Sequence, residues 1–173
     1  MLAPWHEFYS LLGTAASTLV ALLFVAASVG VGLLTTERAA GTRLYISPII
    51  LHYGSVLFVS LVVLIPALGD RMLGATIGLC GVVGLVGSVV ITVRLFRDRK
   101  SEFVDRFAYG AWPFVAYAGI ALAGVLLTMS SQRAPIILAA SLLLLLLVNI
   151  RNAWDLTITF ARRHGDNTHP PSH

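Results

Sequence analysis

Five side chains stand out because the sequence around them is almost wholly apolar: His52, Asn149, Arg151, Asn152 and Asp155. Histidine titrates near neutrality and can relay a proton through its two ring nitrogens. Arg151 and Asp155 are four residues apart, the spacing at which opposite charges pair along a helix. Pairing lowers the expense of holding charge near hydrocarbon, which is about 3 kcal/mol per group. Near a membrane surface the expense falls further, because long side chains reach outward to water. Asn152, Asp155, Thr159 and Arg162 share a helix face, with Arg151 on its edge and Asn149 further round. Two asparagines beside an ion pair exceed what anchoring a helix end requires, and such a group bonds well to neighbouring helices or to an ion. At about 1.5 Å per residue, His52 lies about 10 Å below the surface from which its helix enters, and Asn149 and Asn152 reach a similar depth from the opposite direction. The sequence therefore predicts that His52 faces inward and meets the polar end of the last helix. It serves there either as a hydrogen-bonded interior residue or as a proton-sensitive gate.

Two runs of small residues form a second class of candidate. Ser10, Thr14, Ser17, Thr18 and Ser28, with Ala21 and Gly32, make a hydroxyl-rich stripe on the first apolar segment. Hydroxyls can bond their own helix backbone, so the stripe suits either packing or the lining of a watery path. Gly74, Gly78, Gly81 and Gly84, near Ser88 and Thr92, give the third segment a surface on which another helix can approach closely. That partner is another helix of the chain, another subunit or a pore wall. Arg94, Arg97 and Lys100 recur every third residue as in a voltage sensor, but they begin where their segment leaves the membrane and are read as orientation signals. Asp98, Glu102 and Asp105 are read as a solvated face. No nucleophile elbow, Walker loop or zinc spacing is present. The single cysteine, Cys80, rules out a disulfide within the chain and a cysteine-built metal site. The expectation is no catalytic residue, no metal and no cofactor: not an enzyme.

The elements that carry these residues follow from composition. Of 173 residues, 57% are hydrophobic and 12% charged, about half the charge a soluble domain uses to cover its surface. Lipid must replace water over most of that surface. Apolar stretches of about 20 residues, enough to cross the hydrocarbon core, are predicted at 8–34, 45–68, 72–93, 111–129 and 135–158. The fold class is thus all-α: a polytopic bundle of five transmembrane helices in one domain over residues 1–163. Arg38, Arg43, Arg94, Arg97, Arg99, Lys100, Arg106, Arg151, Arg162 and Arg163 then fall on one side, with only Arg71 and Arg133 on the other. The positive-inside rule puts the N-terminus outside and the C-terminus in the cytoplasm. The same clustering makes the net charge of +4 a mark of membrane orientation rather than of nucleic-acid binding. Phe96, Phe103 and Phe107 recur among charged residues between the third and fourth spans, predicting a short amphipathic helix in the inner interface. Residues 164–173 have little to bury and are expected to be a disordered cytoplasmic tail.

The run Trp5-His6-Glu7-Phe8-Tyr9, followed by Leu12-Gly13-Thr14-Ala15-Ala16 and Leu23-Phe24-Val25-Ala26, resembles the opening of a family of small, uncharacterised multi-span proteins of the bacterial inner membrane. Ile150-Arg151-Asn152-Ala153-Trp154-Asp155-Leu156 is similar to the segment that ends many of them, and Ser47-Pro48 adds a third point of likeness. The resemblance implies a bacterial inner-membrane home and carries no mechanism. From the residues, two functions stand open. One is a homo-oligomeric ion channel or pore, lined by the hydroxyl stripe or the glycine stripe and gated near His52 and the Arg151–Asp155 pair. The other is a non-conducting subunit that binds another membrane protein, or anionic lipid headgroups through its basic side.

Overall fold

The computed structural model describes residues 2–31, 36–66, 68–97 and 111–166, with side chains described at 2, 4–26, 28, 49–66, 68–93 and 111–155. It is all-α. A short 3-10 turn, Ala3–Trp5, leads into α1 (His6–Val31), which is followed by α2 (Thr36–Val63), α3 (Asp70–Arg97), α4 (Trp112–Thr128) and α5 (Ala134–Asp166). Among the described residues, three stretches are long and apolar enough to cross a membrane: His6–Ala26, Asp70–Val93 and Ala134–Asp155. They mark the chain as a membrane protein. The apolar stretches Ile49–Val63 and Trp112–Thr128 are shorter.

Three of the helices outrun their expected spans for one reason. Charge ends a hydrophobic stretch, but it does not end a helix. α2 begins at Thr36 rather than Tyr45 and takes in Glu37, Arg38 and Arg43; α3 runs on to Arg97, and α5 to Asp166. The last of these carries His164, Gly165 and Asp166 inside a helix, where the sequence placed the start of a tail. Residues 167–173 lie outside the described residues, as does the expected amphipathic segment between Arg94 and Gly110 from Asp98 onward.

The helix ends are where local chemistry puts them. α2 closes before Pro66 with two tightened bonds, from Leu64 N–H to the Leu61 carbonyl (3.1 Å) and from Ile65 N–H to Val62 (3.2 Å). α4 has proline in its first turn, where the missing N–H is harmless. It ends with Ser130 in the left-handed conformation (φ 55°). There Ser131 N–H bonds the Leu126 carbonyl at 2.9 Å, a Schellman-type stop.

Successive helices alternate in direction. Tyr9, at the start of α1, donates its hydroxyl to the Pro135 carbonyl at the start of α5 (3.0 Å). Gly13, near the start of α1, packs on Ser60 near the end of α2, and Asn149, midway along α5, bonds the Ile49 carbonyl midway along α2 (2.9 Å). α3 and α4 lie antiparallel, Gly74 meeting Gly124 and Thr128 at one end and Gly84 meeting Tyr117 towards the other. The core between the helices holds Tyr9, Tyr53, Tyr117, Ile77, Ile120, Leu138 and Leu142, all fully buried. α5 is central, with 50% of its spanning stretch buried, whereas α1 and α3 are peripheral at 22% each.

Candidate functional site

The glycines of α3 determine how the interior is built. A Cβ on Gly74 would lie 2.6 Å from the Gly124 carbonyl oxygen. One on Gly81 would run into the Ala121 backbone, and one on Gly84 into the ring of Tyr117. Gly78 is looser, its nearest neighbour being the Gly124 Cα at 3.8 Å. This surface is therefore occupied by α4 of the same chain. Because Gly84 has no side chain, the Tyr117 ring packs directly against α3, and its hydroxyl reaches His52 and Ser55 of α2.

That hydroxyl meets His52. His52 Nδ1 and the Tyr117 hydroxyl are 2.9 Å apart, and Tyr117 donates to Ser55 Oγ, also at 2.9 Å. Ser55 in turn donates to the Leu51 carbonyl at 2.9 Å. Each hydroxyl has one hydrogen to give, so the order of donation is fixed from the far end. Ser55 spends its proton on Leu51, and Tyr117 spends its own on Ser55. The Tyr117 oxygen must then accept from His52 Nδ1–H. His52 is buried, only 2% exposed.

His52 does face inward, as its surroundings in the sequence suggest, but its partner is Tyr117 of α4. Asn149 reaches the same region of α2 and bonds the Ile49 carbonyl one turn before His52. Asn149 and Asn152 are both 1% exposed. Arg151 and Asp155 point the other way: their side chains are 57% and 46% exposed, and Arg151 Nε lies 3.9 Å from Asp155 Oδ2. The polar group at the end of α5 is thus divided, with amides inside and charges outside. Buried Ser88 Oγ and Asn149 Oδ1 have no hydrogen-bond partner among the described residues.

The hydroxyl stripe of α1 lies on the outside of the bundle. Ser10, Thr14, Ser17, Thr18 and Ser28 are exposed. Thr14 and Thr18 donate to the carbonyls of Ser10 and Thr14 at 2.9 Å, and Ser28 donates to that of Phe24 at 2.8 Å. The opposite face of α1, carrying Tyr9, Leu12 and Ala16, packs inward, and Gly13 lets Ser60 of α2 approach closely.

Beside the His52–Tyr117–Ser55 chain, an open groove of about 220 Å³ runs between α2 and α3. Leu51, Phe58, Leu79 and Val83 wall it, and Ser55, Thr76, Cys80 and Gly84 lie deeper. Tyr117 was not singled out by the sequence, although a signal existed: a tyrosine hydroxyl within an apolar helix needs a partner. The described residues hold no group of three or more histidine, cysteine, aspartate or glutamate side chains placed to bind a metal. Compared with known proteins, the chain matches no family model, no curated protein and no solved structure.

Proposed function

We propose that this chain is a five-span protein of the bacterial inner membrane that works by lateral association, as a non-conducting subunit presenting the outer face of α1 to a helix of another membrane protein. The N-terminus is outside and the basic end cytoplasmic. The alternation of helices supports this topology, because it gathers the backbone positions of Arg38, Arg43, Arg94, Arg97, Arg151, Arg162 and Arg163 towards one end. That end is also suited to anionic lipid headgroups. α4, with 17 residues, covers about 26 Å at about 1.5 Å per residue, enough for a short span.

The observation that carries the reading is the exposed hydroxyl face of α1. Ser10, Thr14, Ser17, Ala21 and Ser28 are all exposed and follow the spacing of a helix–helix seam. Small residues there let a partner backbone come close, which is how helices associate where no water drives them together. The hydroxyls of Thr14 and Ser28, already bonded to their own backbone, stand in lipid or in a contact without further partners. The interior gives no comparable support for a conduit through one copy, since Tyr9, Tyr53 and Tyr117 fill it.

A second reading uses the same face. If copies of this chain gather around an axis with α1 innermost, the hydroxyls line a pore, and the protein is a homo-oligomeric ion channel. Mass in detergent by light scattering, with ion flux into liposomes, separates the two. A monomer without flux that gains mass only with a membrane partner supports the subunit. A defined oligomer with flux that Ser17→Leu abolishes supports the channel. A monomer that captures no partner through α1, with Thr14→Leu and Ser17→Leu without effect, removes both.

A further inference from the structure

We propose that the exposed face near the end of α5 holds a phospholipid whose headgroup carries a phosphate and, beyond it, a primary ammonium. The proposal requires only that α5 crosses the membrane, and it is independent of what α1 binds.

One face of α5 is left uncovered by the other helices. Leu143, Leu147, Ile150, Arg151 and Trp154 are exposed on it, at the three- and four-residue steps that keep side chains on one side of a helix. Asp155 continues the face one turn after Arg151. In a spanning helix such a face borders lipid, and the order of its side chains selects among lipids.

The depth of each group follows from the helix. Tyr9 bonds the Pro135 carbonyl, so α5 starts level with the start of α1, at one edge of the hydrocarbon. Arg151 lies about 24 Å further along the axis and Asp155 about 6 Å beyond it, against a core of about 30 Å. Arg151 is thus close to the second edge, where a long side chain reaches the headgroups, and Asp155 stands outside it. Trp154, 65% exposed, lies between them, at the level where indole rings gather among headgroups.

Outward along the face, the side chains run from apolar Leu143 and Leu147 to cationic Arg151 and then anionic Asp155. The proposed lipid runs in the complementary order: acyl chain, phosphate, then an ammonium two carbons further on. The guanidinium takes the phosphate through its fork of N–H donors, and the carboxylate accepts from the ammonium. Their own pairing leaves room for this. The two side chains are 57% and 46% exposed, and Arg151 Nε is 3.9 Å from Asp155 Oδ2, longer than a hydrogen bond. A guanidinium has five donors and a carboxylate two acceptor oxygens, so one such contact exhausts neither. An anionic lipid lacks the ammonium and sets its charge beside Asp155. A quaternary headgroup keeps the positive charge but has no N–H to give. The face therefore discriminates between headgroups, even where the basic end as a whole attracts anionic lipid.

The test uses the full-length protein in detergent, with retained lipid counted by native mass spectrometry. The probes are phosphatidylethanolamine, phosphatidylcholine and phosphatidylglycerol with identical acyl chains. Phosphatidylethanolamine should be retained about twofold to fivefold better than phosphatidylcholine, the ratio that one exposed ion pair supplies. These two lipids have the same net charge, so basic side chains elsewhere do not set the ratio. Asp155→Asn should erase the preference and raise retention of phosphatidylglycerol, whereas Asp155→Glu should keep the preference. Arg151→Gln should weaken retention of both zwitterionic lipids. Both side chains are half-exposed, so these variants should fold. Equal retention of the two zwitterionic lipids by the native protein, or a preference that survives Asp155→Asn, would overturn the proposal. So would a disulfide-linked dimer of Leu147→Cys in a Cys80→Ala background, because a second copy would then cover the face.

Discussion

Replacing Gly81 by alanine puts a methyl group where the Ala121 backbone already lies, whereas the same change at Gly78, one turn earlier, meets nothing nearer than the Gly124 Cα at 3.8 Å. The two substitutions share a helix and a chemistry, so their difference isolates the packing between α3 and α4. Alanine is favoured over glycine within a helix by up to about 1 kcal/mol. At Gly78 the new methyl makes ordinary van der Waals contact, and most of that gain should be kept. At Gly81 the obstructing atoms are backbone N and Cα, so no side chain can swing aside and α4 itself must move. Overpacking of this kind costs about 1–3 kcal/mol, and a yielding backbone puts Gly81 at the upper end. Net of propensity, Gly81→Ala should destabilise by about 1–2 kcal/mol and Gly78→Ala should be neutral or stabilising, a separation of about 1–3 kcal/mol. Reversible unfolding in mixed micelles, followed by circular dichroism during titration with sodium dodecyl sulfate, measures both. Equal effects, or a more harmful Gly78→Ala, would refute the claim that Gly81 is where the two backbones touch.

Other outcomes follow from the same structure. Tyr117→Phe and His52→Leu each break the bond between these residues, so the double mutant should be less destabilised than the sum of the singles. The coupling should be about 0.6–1.7 kcal/mol, the range found for hydrogen bonds between membrane helices; strict additivity in the same unfolding assay would mean that the bond contributes nothing. Asn149→Ala removes the donor to the Ile49 carbonyl and leaves a buried gap, and it should lower stability by about 1–3 kcal/mol; no change would show that the α2–α5 contact is not held there. Ser130→Gly relieves a left-handed residue at the end of α4 and should raise stability by about 1 kcal/mol; a lower melting temperature would contradict the assigned backbone conformation.

The all-α architecture was legible because apolar runs of membrane length are hard to satisfy in any other way. The breaks between the second and third spans and between the fourth and fifth were equally plain, since hydropathy falls sharply there. Helix ends were less so: hydropathy reports where lipid stops, and the helices pass that point at Arg43, Arg97 and Arg162. The inward placement of His52, Asn149 and Asn152 follows from the expense of leaving such groups in lipid. Their pairing does not. Whether His52 meets Asn149 or Tyr117 depends on how closely α3 and α4 approach, and so on which glycine of α3 faces which helix. A stripe of glycines says that some helix comes near without naming it. The hydroxyl stripe of α1 carried the opposite ambiguity, because serines and threonines bonded to their own backbone look alike in sequence whether they face lipid, protein or water.

The bond between Tyr9 and the Pro135 carbonyl joins the first helix to the last. On a ribosome these two elements are made far apart in time, with α2, α3 and α4 synthesised between them. Until residue 135 has been inserted, the Tyr9 hydroxyl has no native acceptor, and the inner face of α1 lacks the α5 surface that helps to cover it. Biosynthesis of this bundle therefore finishes with a closing step rather than by accretion. A chain truncated before α5 would hold α1 only through α2, and it would present to membrane proteases an intermediate whose first helix is incompletely covered.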